Sequence, residues 1–394
     1  MTAGAVRIYS KLLGQDRGMV LLSTLLVLSL LIAVGMGARV MVHNDTAISG
    51  NFRLSTNAFY LAEAGIEWSK HEIGATTSHP PAPANHTQSF ASGTFRIAFV
   101  SATAATPLVA KIVVRSTGTA RTATHLLQSQ LTKTYDLTDG AVALRGNASR
   151  ANLSGTGFLI SGIDHDPATA SAVPDAKAHP GITVSGDALR GAVVDGLDAS
   201  QQSNIVGTGG TPAIVQSGDV PGAALSQLAN DLCSSAQAIP LAVPADGILS
   251  VDSQEWGSRA LPQLRCIEGL PGAGDSVRLA GNVSGSGILV VRNAELIAGG
   301  PLHWEGLIIV TGASVGFTVV GPDAKEIYGS LMVNESGAPG SETAILDIRG
   351  SVRLFFSRAA LNGIAALVPT ATLNETYAYL PSIVTQDYWR MVTP

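Results

Sequence analysis

Residues 16–42 read DRGMVLLSTLLVLSLLIAVGMGARVMV, and this stretch decides how the rest of the chain is read. From Met19 to Ala38 no side chain carries a formal charge. At ~1.5 Å of helical rise per residue the run spans roughly 30 Å, the hydrocarbon thickness of a bilayer. A signal-peptide core is shorter, about 7–15 residues, and ends at a small-x-small cleavage site. Here Arg39 stands where that site would be. Arg7, Lys11 and Arg17 outweigh Asp16 in front of the run. The positive-inside rule therefore keeps the N-terminus cytoplasmic and sends the remainder across the membrane. The plain expectation is a single-pass anchor over 19–42.

Moving outward, residues 44–73 read NDTAISGNFRLSTNAFYLAEAGIEWSKHEI. Phe52, Phe59, Ile66 and Ile73 recur at steps of seven, with Ala62 at a matching position between them. They form one apolar stripe on a helix, and Arg53, Glu63, Glu67, Lys70 and Glu72 take the other faces. No proline occurs between Met1 and His79. The membrane helix is thus expected to run on through residue 74, roughly 50 residues and ~75 Å long. Its second half is amphipathic and needs a globular cover.

A basic leader ending in Arg17-Gly18, followed at once by the apolar run from Met19, resembles a type IV prepilin. The stretch RGMVLLSTLLVLSLL, the pair Gly50-Asn51, and Ala58-Phe59 followed by Ala62-Glu63-Ala64-Gly65 resemble the N-terminal region of PilX-type minor pilins, which are type IV pilus assembly proteins. The resemblance is confined to this N-terminal region of a 394-residue chain. It implies that a prepilin peptidase cuts between Gly18 and Met19. It implies an assembly helix carrying Ser23, Phe52, Phe59, Ala62, Glu63 and Ile66. It also implies a protein of the bacterial inner membrane with its C-terminal part periplasmic, later moved to a pilus tip or cell surface. The implied partners are other minor pilins and the major pilin. One departure stands out. Most major pilins carry a glutamate at the fifth mature position, where it neutralises a neighbour's N-terminal amine. Counted from Met19 that position is Ser23. A buried charge needs a partner, so a subunit lacking the carboxylate suits a priming or tip position better than the bulk fibre.

Composition sets the outer bounds. Lys and Arg total 24 against 29 Asp and Glu, a net charge of −5, and no basic tract points to nucleic acid. Only 13% of residues are charged and 43 are glycine, which fits an extracytoplasmic β-rich body. The two cysteines, Cys233 and Cys266, allow either a disulfide or two separately buried thiols. A bridge closing that loop is worth roughly 3–4 kcal/mol in the chain-entropy model.

The expected fold class is α+β. Residues 1–18 form a leader and 19–74 the long transmembrane and amphipathic pilin helix. Residues 75–90, rich in Pro, Ser and Thr, read as a linker or loop. Residues 91–134 alternate apolar and polar, as in Phe95, Ile97 and Phe99, and predict a small antiparallel sheet with a turn at Ser116 to Gly118. From 135 to 380 short apolar bursts are separated by Gly, Ser, Asn and Asp. Three share one form: Gly287 to Val291, Gly306 to Val310, and Gly329 to Val333. Such spacing with glycine turns predicts the coils of a β-solenoid, right-handed and parallel, with a β-sandwich as the alternative. SGTGFLISG and HPGITVSGDALRGAVVDG read as earlier, less regular coils. Leu225, Leu228 and Leu232 predict one helix near 223–237. Residues 381–394 read as a C-terminal cap or final strand.

The sequence holds no His-Glu-x-x-His, phosphate-binding loop or Cys-x-x-Cys. Asp164-His165-Asp166 with His179 is the nearest thing to a metal set, and more often such a run is a turn. No cofactor is expected. Arg278, Arg292, Lys325, Arg349, Arg353 and Arg358 are dispersed, against the charge clusters of polysaccharide lyases. His303-Trp304 with Phe317 reads either as core or as an aromatic surface for a carbohydrate ligand. The expected function is therefore a non-enzymatic minor pilin-like subunit, taking part in assembly or priming and displaying a β-domain for adhesion. The rival is a membrane-anchored periplasmic solenoid enzyme acting on polysaccharide.

Overall fold

The computed structural model describes residues 5–146, 150–155, 157–337, 344–369 and 379–392, with residues 5–18 described by backbone alone. Helix α1, Ala5–Ala75, is continuous for 71 residues, about 105 Å at the usual rise. Every residue from 19 to 53 is exposed. After that the helix buries Ala58, Leu61, Ala62, Ile66 and Ile73 against a sheet.

That sheet has five strands. β1 (His86–Phe90), β2 (Gly93–Thr106), β3 (Val109–Ala120) and β4 (Ala123–Tyr135) follow one another antiparallel. The fifth strand is the last of the chain, Ser382–Val392, antiparallel to β4. Its inner face places Ala110, Ile112, Val114, Leu127 and Leu131 on Ala62, Ile66 and Ile73. Gly65 makes the approach close: a Cβ there would overlap Ser116 and Ile97 of the sheet.

Four expectations are corrected here. Residues 86–90 are a paired edge strand rather than linker. Ser116 to Gly118 lie inside β3, and the chain reverses instead after Ala120, where Arg121 takes φ 52°. Of the two readings of the C-terminal segment the final strand holds and the cap does not: Ser382–Val392 completes the first sheet. Phe52, expected in the buried stripe, is 73% exposed. Ala58, the first fully buried helix residue, lies six positions further on, and six residues of helix move a side chain ~9 Å along the axis, past the end of the sheet.

Everything between Tyr135 and Ser382 is an excursion from that sheet, and these two residues pair at its root. The body contains two parallel sheets. One includes Gln263–Glu268, Val283–Arg292, Leu302–Gly312, Lys325–Glu335 and Arg353–Phe356 as successive neighbours. The other includes Asp275–Leu279, Ala294–Ala298, Phe317–Val319 and Leu346–Ile348. Along the chain the strands alternate between the two sheets. Gly287, Gly306 and Gly329, the first residues of the three similar bursts, stand in one register. Their φ values of 146°, 132° and 136° lie where only glycine is comfortable, so each long strand deviates at the same place. A Cβ on Gly306 would overlap the carbonyl of Gly287, and one on Gly329 that of Gly306.

The earlier segments, expected as less regular coils, follow a different plan. Val142–Gly146 pairs with Lys325–Glu335, and Leu159–Ser161 with Arg353–Phe356, so early chain stacks on late chain. The segment expected to coil through HPGITVSGDALRGAVVDG instead forms a short strand, Ile182–Val184, and helix α2, Asp187–Asp195. Helix α3, Gly222–Ser234, buries Leu225, Leu228, Ala229 and Leu232 on the body. Cys233 at its end is bonded to Cys266, with Cα atoms 5.6 Å apart. Helix α4, Arg358–Gly363, follows the strand that ends at Phe356 and is capped by Ser357, whose side chain accepts from Ala360 N.

Candidate functional site

The first half of α1 is an apolar rod without cover, and its best membrane-length window has a mean hydropathy of 2.6. One N-terminal helix is therefore apolar enough to span a membrane. Its hydroxyls are satisfied internally: Ser23, Thr24 and Ser29 donate to the carbonyls of Val20, Leu21 and Leu26 at 2.9, 2.9 and 2.8 Å. This removes the cost of a free donor in hydrocarbon. Ser23 thus holds a self-contained hydroxyl, on an exposed helix face, where the resemblance would place a glutamate. The helix backbone runs unbroken through Gly18 and Met19.

The second half is where the sequence-predicted residues meet. Ala62 and Ile66 are buried against β3 and β4. Phe59 sits at the edge, half-buried, with ring centroids 6.1 Å from both His125 and Trp389. Glu63 is half-exposed and lines a groove of about 230 Å³ with Ile66, Glu67, Leu127, Gln386 and Trp389. Trp389 is exposed, as are Tyr60 of the helix and Tyr388 and Met391 of the final strand. Among the described residues the final strand has β4 as its neighbour on one side and an open edge on the other. An open edge beside exposed aromatic side chains is a surface that can receive another chain. Sequence reasoning missed the part played by Tyr388, Trp389 and Met391, because their place depends on pairing with a strand some 250 residues away.

The far end of α1 is fastened by Lys133. Its side chain is buried, and Nζ donates to the carbonyls of Ile73, Gly74 and Thr76 at 2.8, 3.1 and 2.6 Å. A cation is favourable at a helix C-terminus, where carbonyls lack partners. Burial nevertheless pushes this amine down to about 8. Tyr135 lies beneath it, donates to Ser78 O at 3.1 Å, and is raised by burial to about 12.

The histidine and carboxylate residues of the body do not converge as one set. Asp164 and His179 come together with Asp136 around Arg358. Arg358 Nε donates to Asp136 at 3.3 Å, its backbone N to Asp164 at 2.9 Å, and Nη2 to His179 at 3.1 Å. Burial, the largest influence, lowers the His179 pKa, and this favours the neutral ring that accepts from Arg358. His165 instead lies against Phe355, and Asp166 accepts from Ala168 N in a turn. Among the described residues no group of three or more His, Cys, Asp or Glu could hold a metal ion. The cluster clamps the body to the root of the small sheet. A second buried clamp, unread in the sequence, sits beside it: Arg145 donates to Asp139 at 2.7 Å, and Thr183 to Asp139 at 2.7 Å.

Trp304 and Phe317, read in part as a surface for carbohydrate, are both fully buried. Alternation along a strand turns Trp304 to one face and His303 and Glu305 to the other. His303 meets Glu305 at 3.2 Å, and Glu305 is held by Arg259 at 2.7 Å. The aromatic pair is therefore core.

No protein-family model matches the chain. No curated protein matches it either. Among solved structures it is similar to the competence-associated pilin ComZ from Thermus thermophilus, at 13% identity over 86% of this chain and 98% of that one, with a TM-score of 0.21. A similarity at that TM-score fixes neither fold nor function.

Proposed function

We propose that this chain is a minor, pilin-like subunit of a type IV pilus or a related filament. Residues 19–42 hold it in the inner membrane with the body on the periplasmic side. A prepilin peptidase cuts after Gly18, and the subunit then joins other minor pilins and the major pilin. The body, taken as a right-handed β-solenoid, is displayed at the tip for priming or adhesion, and the role is structural rather than catalytic.

One observation carries this reading: α1 is a single helix whose first half is bare and apolar and whose second half is laid on an antiparallel sheet. The bare half is what a bundle of like helices needs, and the sheet is the cover that the amphipathic half needs. The position of the body adds support. It leaves the sheet at Tyr135, beside the C-terminal end of α1, some 30 residues and ~45 Å of helix beyond Val42. Display of a large body demands that separation. Ser23 adds the preference for a tip position.

The test is the N-terminus of the protein recovered from cells. Mass spectrometry should find it beginning at Met19, and Gly18→Ala should leave the full-length chain in the membrane and absent from sheared filaments. Normal shortening and assembly of Gly18→Ala would sink the proposal.

A further inference from the structure

Four side chains from separate stretches of the chain meet at the root of the small sheet. Asp136 follows β4, Asp164 follows the strand Leu159–Ser161, His179 precedes Ile182–Val184, and Arg358 opens α4. The first three are buried, and the Arg358 side chain is 23% exposed. We propose that this clamp is a latch worked by a proton: uptake of a proton on Nε2 of His179 evicts the Arg358 guanidinium and frees α4 from the root of the sheet. The proposal stands apart from the membrane and pilus readings, because every group in it belongs to the folded body and the sheet root.

The contact itself fixes the state of the ring. Arg358 Nη2 lies 3.1 Å from His179 Nε2. A guanidinium offers donors only, so Nε2 accepts this bond with its lone pair and carries no proton. A proton from solvent takes that same lone pair. No covalent bond breaks, and the hydrogen bond to Arg358 is what is lost. Two donors on two cations then face each other at 3.1 Å. Asp136 is within reach of both, 3.3 Å from Arg358 Nε and 3.9 Å from His179 Nε2.

The surroundings decide which cation leaves. His179 N donates to Gly162 O at 2.8 Å, and His179 O accepts from Thr208 N at 3.0 Å. A Cβ on Gly162 or on Gly207 would overlap the His179 carbonyl, so the backbone is held closely from both sides. The ring is stacked on Phe356 with centroids 4.2 Å apart. Arg358 has a long side chain already partly in water, and its head can move out while the stem stays. The imidazolium keeps Asp136, and the tie between α4 and Asp136 goes. Asp164 still accepts from Arg358 N at 2.9 Å, so the helix loosens without being cast off.

The charges facing the ring set the direction. Burial, the largest influence, lowers the His179 pKa from its ordinary 6.5; Asp136 raises it, Arg358 and Lys177 lower it, and a hydrogen bond to the Asp139 backbone raises it. The Asp139 carboxylate is itself engaged by Arg145 and Thr183. The closed clamp therefore holds the neutral ring at neutral pH. Below 6.5 a ring freed of the guanidinium binds a proton more readily than the closed one, so acid favours opening. With the ordinary 6.5 for the open ring, opening rises about tenfold from pH 7.5 to 5.5.

Hydrogen exchange on the full chain in detergent micelles, corrected for the intrinsic pH dependence of exchange, reads the latch. The reporters are Ala360 N and Leu361 N, bonded to Ser357 within α4, a helix of six residues that frays once its anchor goes. In wild type their protection should fall about tenfold from pH 7.5 to 5.5, while residues 288–291 and 307–310 in the stacked strands stay unchanged. His179→Gln keeps an oxygen that accepts from Arg358 and takes up no proton, so its protection should be equal at both pH values. Arg358→Met removes the group to be evicted and should abolish the step as well. A flat wild-type profile would overturn the proposal. So would an equal fall in the stacked strands, which means general acid destabilisation. A fall that persists in His179→Gln would overturn it too, and would move the effect to His79, whose pKa burial also lowers and which lies against Tyr135.

Discussion

The small sheet and the body bury their apolar residues by opposite routes. The sheet is antiparallel, and the inner face of its core rests on a single helix. Its strands come from both ends of a 394-residue chain, so it closes only when Ser382–Val392 returns to β4. The two large sheets of the body are parallel, and the strands Gln263–Glu268, Val283–Arg292, Leu302–Gly312, Lys325–Glu335 and Arg353–Phe356 each pair with the next of that series along the chain. A region built from next-neighbour stacking can form wherever one strand finds the next of its series. A region closed by its two ends must bring them together across whatever is inserted between them, at an entropic cost that grows only slowly with the length of the insert. This is why buried ion pairs gather at the root: Asp136, Asp164, His179, Arg358, Asp139 and Arg145 hold the excursion where it leaves the sheet.

The strongest way to break the comparison is Gly306→Val. The φ of 132° is strained for any side chain, and the new atoms meet the Gly287 carbonyl in the adjacent strand. Strain and overpacking together should cost about 4 kcal/mol. Protease resistance of the full chain should fall within the body, while the core formed by Ile66, Ile112 and Leu131 keeps its protection. Equal loss in both regions would mean that they fold as one unit and that the contrast drawn above is wrong.

The contrast also explains what was legible beforehand. The three glycine-led bursts were visible because the stacking is local and repeats, so Gly287, Gly306 and Gly329 could be aligned by eye before their register was known. The apolar stripe of α1 was visible from periodicity alone at Ala62, Ile66 and Ile73. Phe52 shares that period and is nevertheless bare, because periodicity tells which face of a helix is apolar and not where the cover ends. The last strand was named only as a cap or strand, since its partner β4 cannot be found by local pattern. The β3–β4 turn was misplaced because Ser116 and Gly118 resemble turn residues, although Ser116 and Gly118 both pack under the helix. Trp304 beside His303 allowed either a core or a surface reading, and its full burial decides for core, a matter of which face of the strand is covered.

Lys133→Met sharpens the account of how the helix is fastened to the sheet. The change leaves the carbonyls of Ile73, Gly74 and Thr76 without their ammonium donor and should cost about 2 kcal/mol at pH 7. The pH dependence has a definite sign. In the folded chain the amine titrates at about 8, below its ordinary 10.5. Between those values the unfolded chain holds a proton that the folded chain has released, so the contribution of Lys133 to stability rises with pH. Below pH 8 both states are protonated and the contribution is flat. Tyr135 acts in the opposite sense from its ordinary 10 up to about 12, so melting should be followed only to pH 9.5. Wild type should gain on Lys133→Met from pH 8 to 9.5. Parallel curves would mean that the amine is not the group responsible.

The smallest expected effect is the most useful for the boundary of the small sheet. Phe52→Ala removes an aromatic ring that is 73% exposed, whereas Ile66, in the same phase of the helix, is 4% exposed. With no sheet opposite it, Phe52 should alter stability by less than about 0.5 kcal/mol, as surface substitutions usually do. A ring left bare between an apolar span and a folded domain still has a cost in water, which a neighbouring helix in a filament would remove. The melting temperature and the share of the subunit in sheared filaments should therefore separate: the first unchanged, the second reduced. A drop of more than 1 kcal/mol in stability would show that the ring is covered within the chain, and the sheet would then have to reach further toward the membrane than Ala58. An unchanged melting temperature with unchanged incorporation would leave Phe52 outside both the domain core and the assembly face, and the working part of the helix would begin at Ala58.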